Sequence, residues 1–172
     1  GSTALWERHR DSFKPVLEAH NQVIREAATR FGGYEVKTEG DAFFLVFPAA
    51  TGALGFAMQA QQGLRQVNAL GDEVRVRIGL HTGEPLVEVD RHGRTDYFGP
   101  AVNRAARVAS AGHGGQTLLS GAAWHAVADG LDRSLEVKQL GEVRLRGLEE
   151  PEKLYQVQPP GLPGDFPPLR GV

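Results

Sequence analysis

The sequence contains no cysteine, which excludes disulfide bonds, thiolate metal ligands and cysteine nucleophiles. It also lacks an apolar run near the ~20 residues that a helix needs to cross a bilayer, and its start shows no secretory signal pattern. A formal net charge of −2 over 172 residues gives no general attraction to nucleic acids or to anionic membranes. We therefore expect a cytoplasmic protein with no nucleic-acid or membrane partner.

The length of the chain allows one domain with a short remainder. Prolines are concentrated near the end, at Pro159, Pro160, Pro163, Pro167 and Pro168. This composition predicts a stiff, extended segment with no core-forming pattern. We therefore predict one domain over residues 1–158 and a proline-rich linker or tail over residues 159–172.

Hydrophobic periodicity gives the order of the secondary structure. The first predicted elements are helix, strand, strand, helix and strand, over residues 3–31, 34–38, 42–47, 48–68 and 74–81. The later ones are a strand at 86–89, a helix at 99–111, a strand at 116–119, a helix at 121–128, and strands at 134–138, 142–146 and 153–157. This order matches the βαββαβ pattern without its first strand. It predicts an α+β, ferredoxin-like fold with C-terminal α/β additions, from which the first central strand is missing.

A strand, a tight turn and a second strand are predicted around residues 37–41. Gly40 supplies the positive φ that such a turn favours. The turn places Asp41 at the mouth of a hairpin, where a carboxylate can face a hard cation such as Mg²⁺. Lys37 lies on the incoming strand. Gly-Asp turns are common, so this motif alone fits a purely structural turn as well.

A second polar motif occupies residues 96–107, where Asp96 precedes a glycine and a predicted helix. Asn103 and Arg107 are four residues apart, so they lie on one face of that helix, about one turn from each other. An ordinary solvated helix face would show the same pattern.

Together these two stretches resemble the nucleotide-binding motifs of the class III adenylate and guanylate cyclases, which make cyclic AMP or cyclic GMP. Three further stretches, residues 1–7, 77–83 and 145–147, match the same family in the same order. The resemblance covers about residues 1–157 and implies the cyclase fold and a nucleotide substrate.

The resemblance also implies a role for each matching residue. Asp41 is expected to bind metal, Lys37 and Asp96 to read the purine edge, Asn103 to orient the ribose, Arg107 to stabilise the transition state, and Arg77 and Arg146 to hold the polyphosphate. Arg146 stands where the family more often has lysine, which keeps the charge but changes its geometry. The implied cofactors are two Mg²⁺ or Mn²⁺ ions per site.

The Lys37–Asp96 pair favours ATP over GTP as the substrate. An ammonium group can donate to a ring nitrogen of adenine, and a carboxylate can accept from its amino group. In this family two chains pair head to tail, so each site would take its metal ligands from one copy and its base-reading residues from the other. We expect the polar face of strand 74–81, which carries Arg75, Arg77, Gly79 and His81, to form a wall of that shared cleft.

In the family, the first strand carries another metal-binding aspartate just before a Gly-Ser-Thr sequence. This chain begins with that sequence at Gly1, so we expect the strand and its carboxylate to lie upstream and the chain alone to be impaired. The proline-rich end resembles the linker before an NTPase module in larger bacterial regulators, which predicts downstream NTPase or regulatory domains.

Two alternatives remain open at this stage. A degenerate cyclase-like domain would bind a nucleotide or a partner without turnover. A ferredoxin-like interaction or RNA-binding module would expose aromatic side chains on its open sheet face, whereas the predicted strand at 74–81 carries none. The sequence also predicts a structural role for His81, a core or interface position for Trp124, and a solvated helix charge at Arg104.

Overall fold

The computed structural model describes residues 10–69 and 72–172. The predicted helix start at Thr3 and the motif at residues 1–7 lie outside the described residues. The first half of the fold consists of helix α1 (Arg10–Arg30), strands β1 (Tyr34–Glu39) and β2 (Ala42–Val46), helix α2 (Ala50–Leu64), and the short strands β3 (Asn68–Ala69) and β4 (Asp72–Glu73).

The second half begins with β5 (Ile78–Leu80), β6 (Leu86–Val89), β7 (Thr95–Phe98), α3 (Pro100–Ala111), β8 (Thr117–Ser120) and α4 (Gly121–Val127). A 3₁₀ turn (Ala128–Gly130) then leads to β9 (Glu136–Val143) and β10 (Glu152–Gln158). Within the described residues, the largest sheet has the strand order β5-β8-β10-β9, with β5 parallel to β8 and the other pairs antiparallel. The mixed α+β class predicted from the sequence is confirmed.

Two apolar clusters hold these elements together. The larger one joins α1 and α2 to the sheet through buried residues such as Ile24, Ala57 and Leu119. It also contains Trp124, whose indole ring stacks on Tyr155 with centroids 4.8 Å apart, so the core position predicted for Trp124 is confirmed. The smaller cluster comprises Val108, Ala111, Leu118, Leu145 and Leu154, and it fixes α3 and the loop after β9 to the sheet.

Three of the predicted strands differ markedly from the structure in their bounds. The alternating segment 74–81 forms a strand only at Ile78–Leu80, because its partner β8 pairs with it over only three residues. The predicted strands 134–138 and 142–146 are joined in the single strand β9, since Gly141 adopts φ +78° at a β-bulge and the pairing with β10 continues past it.

The polar face of strand 74–81 was expected to form a wall of the shared cleft. This expectation is wrong at Gly79. A Cβ atom there would stand 2.3 Å from the backbone nitrogen of Ala109 in α3, so the helix lies directly on this face. The alternation placed Gly79 among polar residues. Its missing side chain instead allows close contact between helix and strand.

The proline-rich segment has no helix or strand, and it begins with a turn at residues 160–161. It nevertheless lies against the domain. Pro159 is fully buried, the Gln158 side-chain amide donates to the carbonyl of Pro163, and Leu169 packs against the smaller cluster. Proline carbonyls remain hydrogen-bond acceptors, so a proline-rich stretch can dock without a regular pattern. Among the described residues, no helix is both long and apolar enough to span a membrane.

Candidate functional site

The β1–β2 hairpin presents Lys37 and Asp41 on one short element. Glu39 pairs with Ala42, which leaves Gly40 and Asp41 as the turn, and Gly40 adopts φ +60°. A bulge between Glu35 and Lys37 interrupts the register, so that Val36 is buried and Lys37 is exposed. Within the described residues, neither the Lys37 nor the Asp41 side chain has a hydrogen bond or ion pair, so both can bind a ligand.

Strand β7 lies beside β1, which brings Asp96 close to the strand that carries Lys37. The Arg94 guanidinium donates to the carbonyl of Val36 at 3.2 Å, and the Tyr34 hydroxyl accepts from the backbone of Thr95 at 3.3 Å. The Tyr34 and Tyr97 rings also meet edge to face, with centroids 6.4 Å apart. The predicted base-reading residues therefore occupy neighbouring strands. These contacts of β1 with β7 were not predicted.

Helix α3 carries Asn103 and Arg107 one turn apart, as the spacing predicted. Gly99 precedes the helix with φ 102°, Pro100 occupies its first turn, and Asn103 is exposed. The Arg107 side chain is half-buried and lies over Gly147, where a Cβ atom would stand 3.4 Å from Arg107 Cζ. This contact joins the helix to the loop that contains Arg146.

Arg146 lies beside Gly147 in that loop, so the predicted transition-state arginine, Arg107, and one predicted polyphosphate-binding arginine, Arg146, come from adjoining elements. The backbone amide of Arg146 donates to the carbonyl of Gly171 at 2.8 Å, and its side chain is exposed. Across the described part of the chain, neither guanidinium is paired with a carboxylate. Two unpaired arginines on adjoining elements suit the oxygens of a polyphosphate, which arginine can bind in a bidentate manner.

Arg77 is exposed in the segment just before β5, in the part of the chain where the strand prediction was too long. Within the described residues, no hydrogen bond or ion pair joins Arg77 to the other candidates. None joins the pair Lys37–Asp96 to the pair Arg107–Arg146 either.

The metal prediction depends on Asp41. Mg²⁺ in nucleotide enzymes is typically held by one or two carboxylates together with substrate phosphates. Asp41 is half-buried and unpaired among the described residues, so its carboxylate fits as one such ligand. The described residues contain no group of three or more His, Cys, Asp or Glu side chains that could hold an ion without help from the substrate.

His81 directly follows β5 and contacts Ser120, the residue that precedes α4. Its Nδ1 atom lies 2.7 Å from Ser120 Oγ, whose oxygen also caps α4 by accepting from the Ala123 amide. Burial, and secondarily the nearby charge of Arg104, lower the pKa of His81. These contacts agree with the structural role predicted for His81.

The sequence predicted that Arg104 is a solvated charge on the helix surface. This prediction is wrong. Its guanidinium lies 3.5 Å from the carboxylate of Glu152, and 26% of the Arg104 side chain and 14% of the Glu152 side chain are exposed. The pair joins α3 to the start of β10. The sequence separates the two residues by almost fifty positions, so no local pattern could have indicated the contact.

Comparison with known proteins decides the family. The family model of the adenylate and guanylate cyclase catalytic domain matches residues 1–159. The chain belongs to this cyclase family. It is 34% identical to the adenylate cyclase of Neurospora crassa over 95% of the chain, and 31% identical to the receptor-type adenylate cyclase GRESAG 4.1 of Trypanosoma brucei brucei over 91% of the chain. It spans only 9% and 16% of those cyclases, respectively.

Solved cyclase structures share the fold. An adenylate cyclase of Trypanosoma brucei, described in its monomeric state, superposes with a TM-score of 0.88 at 30% identity, covering 99% of this chain and 90% of that one. An adenylate/guanylate cyclase/hydrolase from Silicibacter pomeroyi gives a TM-score of 0.74 at 27% identity, covering 88% and 87%. These neighbours confirm the cyclase fold predicted from the sequence motifs. The individual residue roles stay predictions.

Proposed function

We propose that this domain is an adenylate cyclase, which converts ATP to 3′,5′-cyclic AMP and pyrophosphate at sites shared by two copies of the chain. The observation that carries the proposal is the contact of Arg107 with the loop of Arg146. It brings the Arg107 guanidinium to the loop that carries Arg146, so two arginines without a carboxylate partner among the described residues lie on adjoining elements, where they can meet a triphosphate. The adenylate cyclase relatives, at 31% to 34% identity, support the same activity.

In the reaction, the 3′-oxygen of ATP forms a bond to the α-phosphorus, and the bond from that phosphorus to the oxygen bridging to the β-phosphorus breaks. The 3′-hydroxyl proton leaves to solvent and pyrophosphate departs. Charge develops on the α-phosphate oxygens, and Arg107 stabilises it. Arg146 and Arg77 hold the outgoing phosphates, and Asn103 orients the ribose. When bound at Asp41, two Mg²⁺ or Mn²⁺ ions would activate the 3′-oxygen and stabilise the leaving group.

Adenine fits the Lys37–Asp96 pair better than guanine does. The Lys37 ammonium group can donate to adenine N1, and Asp96 can accept from the N6 amino group. One oxygen of Asp96 already accepts from the Tyr97 amide at 2.9 Å, which fixes the carboxylate and leaves its other oxygen for the base. Guanine presents an acceptor and a ring N–H at these positions, the reverse arrangement. Guanylate cyclase is therefore the less favoured activity.

The β6–β7 hairpin supports a second copy of the chain as the partner. Its apolar side chains are largely exposed: Leu86 at 54%, Val87 at 56%, Val89 at 61% and Phe98 at 40%. This surface adjoins Asp96, so a copy bound there would lie next to the base-reading residues. A cytoplasmic location and a downstream NTPase module are further parts of the proposal.

The proposal is tested by assaying the domain, in its natural sequence context, for cyclic AMP production from ATP with Mn²⁺. Asp41→Asn and Arg107→Ala should each be inactive, because each damages both sites of a homodimer. Mixed together, the two variants should recover about a quarter of the wild-type activity, since half of the dimers are mixed and each then has one intact site. No recovery from the mixture, with mixed dimers demonstrated, would contradict the shared site.

A second candidate, nucleotide binding without turnover, is favoured by one observation. Among the described residues, no group of three or more His, Cys, Asp or Glu side chains could hold a metal ion for the reaction. The same assay separates the two functions, because a binding domain would retain ATP with Mn²⁺ in equilibrium dialysis and release no cyclic AMP.

A further inference from the structure

Residues 168–171 bind to the two regions that carry Arg107, the predicted transition-state arginine, and Arg146, a predicted polyphosphate-binding arginine. The carbonyl of Pro168 accepts from His113 Nε2 at 2.9 Å. The amide of Arg170 donates to the carbonyl of Ala111, the last residue of α3, at 2.9 Å. The carbonyl of Gly171 accepts from the amide of Arg146 at 2.8 Å. The last two of these bonds lie within four residues of Arg107 or Arg146.

Leu169 anchors this segment. Its side chain packs against the smaller apolar cluster, whose members include Val108 and Leu145. Val108 follows Arg107 in the chain and Leu145 precedes Arg146, and both are at most 1% exposed. A single side chain of the tail thus touches the cluster that holds the backbone of both arginines.

The nearby backbone at Gly171 is also constrained. Gly171 adopts φ +64°, a conformation that favours glycine, and this directs its carbonyl to the Arg146 amide. Three other contacts hold the Arg146–Gly147 loop. Leu145 is buried, and its carbonyl accepts a hydrogen bond from the amide of Leu148. The guanidinium of Arg107 packs against Gly147.

We propose that residues 168–171 form a positioning segment for the polyphosphate-binding cations, holding the Arg146–Gly147 loop against Arg107. The inference rests on the proposed cyclase function and deepens it. Arginine side chains are long and mobile, so the placement of their charge depends on a fixed backbone. A shift of about 1 Å in a group that contacts the transition state can lower a rate about a hundredfold.

The chain offers a matched pair of leucines for the test. Leu169 and Leu162 are both half-buried in the tail. Leu162, however, lies near the start of the tail, beside Arg65, Val74 and Phe166. We expect Leu169→Ala to lower kcat for cyclic AMP formation about tenfold, with KM for ATP within about threefold, because base recognition at Lys37 and Asp96 is untouched. Leu162→Ala should keep kcat within about twofold of the wild type. Leu169→Met should restore most of the rate.

A pair of glycines tests the backbone contact in the same way. Gly171 and Gly161 both have positive φ, +64° and +81°, so alanine strains both alike. Of these two, Gly171 is the one that directs its carbonyl at Arg146. Gly171→Ala should reduce kcat about fivefold, and Gly161→Ala should leave it within about twofold. The thermal midpoints of all variants, measured in parallel, show what fraction is folded at the assay temperature.

A binding measurement separates this inference from the cyclase proposal. Inorganic tripolyphosphate, titrated calorimetrically, should bind Leu169→Ala about threefold more weakly than the wild type or Leu162→Ala, since it contacts the same cations. If the wild type makes no cyclic AMP but this difference persists, the cyclase proposal fails and the positioning role stands. If Leu169→Ala matches folded Leu162→Ala in kcat and in tripolyphosphate affinity, the positioning role is overturned.

Discussion

The guanidinium group of Arg107 lies over the backbone of Gly147, so that a Cβ atom on residue 147 would stand 3.4 Å from Arg107 Cζ. This approach connects the middle of α3 to the loop after β9, two regions that the chain separates by forty positions. Gly147 adopts φ +82°, and the absence of a side chain leaves room for the cation. The contact makes residue 147 a sensitive probe of the candidate site.

Gly147→Ala should therefore impair activity more than stability. The alanine strains the left-handed backbone by about 1–2 kcal/mol and displaces the Arg107 guanidinium. We expect kcat to fall about tenfold. Gly141→Ala is the matched control, because Gly141 has φ +78° and an added Cβ would meet nothing within 4 Å, so it suffers only the backbone strain. Equal kcat values for the two folded variants would contradict the assigned contact.

Gly79→Ala should destabilise the fold. Its Cβ would stand 2.3 Å from the Ala109 nitrogen and 2.5 Å from the Ala109 Cα, and a helix backbone cannot give way as a side-chain end can. Overpacking of this kind costs about 1–3 kcal/mol, or more. Urea unfolding should show a lower midpoint for Gly79→Ala. Gly130→Ala, where the added atom would meet nothing within 4 Å, should unfold close to the wild type.

His81 predicts a pH dependence of stability below neutrality. Burial and the charge of Arg104 lower the pKa of His81, so between the folded and unfolded pKa values the unfolded state binds more protons. The free energy of unfolding should then fall as the pH drops below the ordinary histidine value of about 6.5. His81→Asn, which keeps a polar partner for Ser120, should lose this part of the slope in urea unfolding measured at several pH values.

The contribution of Arg104 can be measured separately. Arg104→Gln removes the charge that helps to lower the pKa of His81, so the imidazole should titrate at a higher pH in NMR spectra. Arg144→Gln, at an exposed position of the loop after β9, is a control with the same change in net charge. An unchanged His81 titration in Arg104→Gln would show that burial alone lowers this pKa.

Asp41→Asn should lose metal-dependent activity. The amide keeps the size of the side chain but removes the charge that a hard cation prefers. We expect cyclic AMP formation to fall by at least about a hundredfold, since even groups that only orient a metal ligand contribute about 10–100-fold. Mn²⁺ binding in the presence of a non-reacting ATP analogue, followed by electron paramagnetic resonance, gives a direct readout. Glu39→Gln, in the same hairpin, should bind Mn²⁺ like the wild type.

Local patterns were sufficient for several parts of the fold. The β1–β2 hairpin, with Gly40 and Asp41 as its turn, agrees with the alternation and turn residues of the sequence. Helix α3 begins within one residue of its predicted start, because a glycine and a proline mark it, and it ends at the predicted residue before Gly112. These features depend on the backbone preferences of neighbouring residues, so they can be predicted from the sequence alone.

Contacts between segments that are far apart in the chain could not be predicted from such local patterns. Gly141 suggests a break between strands, but β10 pairs on both sides of it and makes it a bulge. Arg104 has the pattern of a solvated charge, but β10 brings Glu152 to it. The tail carries no hydrophobic period, yet Leu169 and hydrogen bonds to residues such as His113, Arg146 and Gln158 hold it to the domain.

By itself, the sequence determined the family, the order of the helices and of most strands, and the residue types that could bind a nucleotide, because these depend on local periodicity and on motifs read along the chain. Only the tertiary structure decided which candidates are neighbours: Lys37 with Asp96 through the packing of β7 on β1, and Arg107 with Arg146 through Gly147. The physical reason is that such contacts depend on how sheets and helices pack, and packing joins residues that are far apart in the chain.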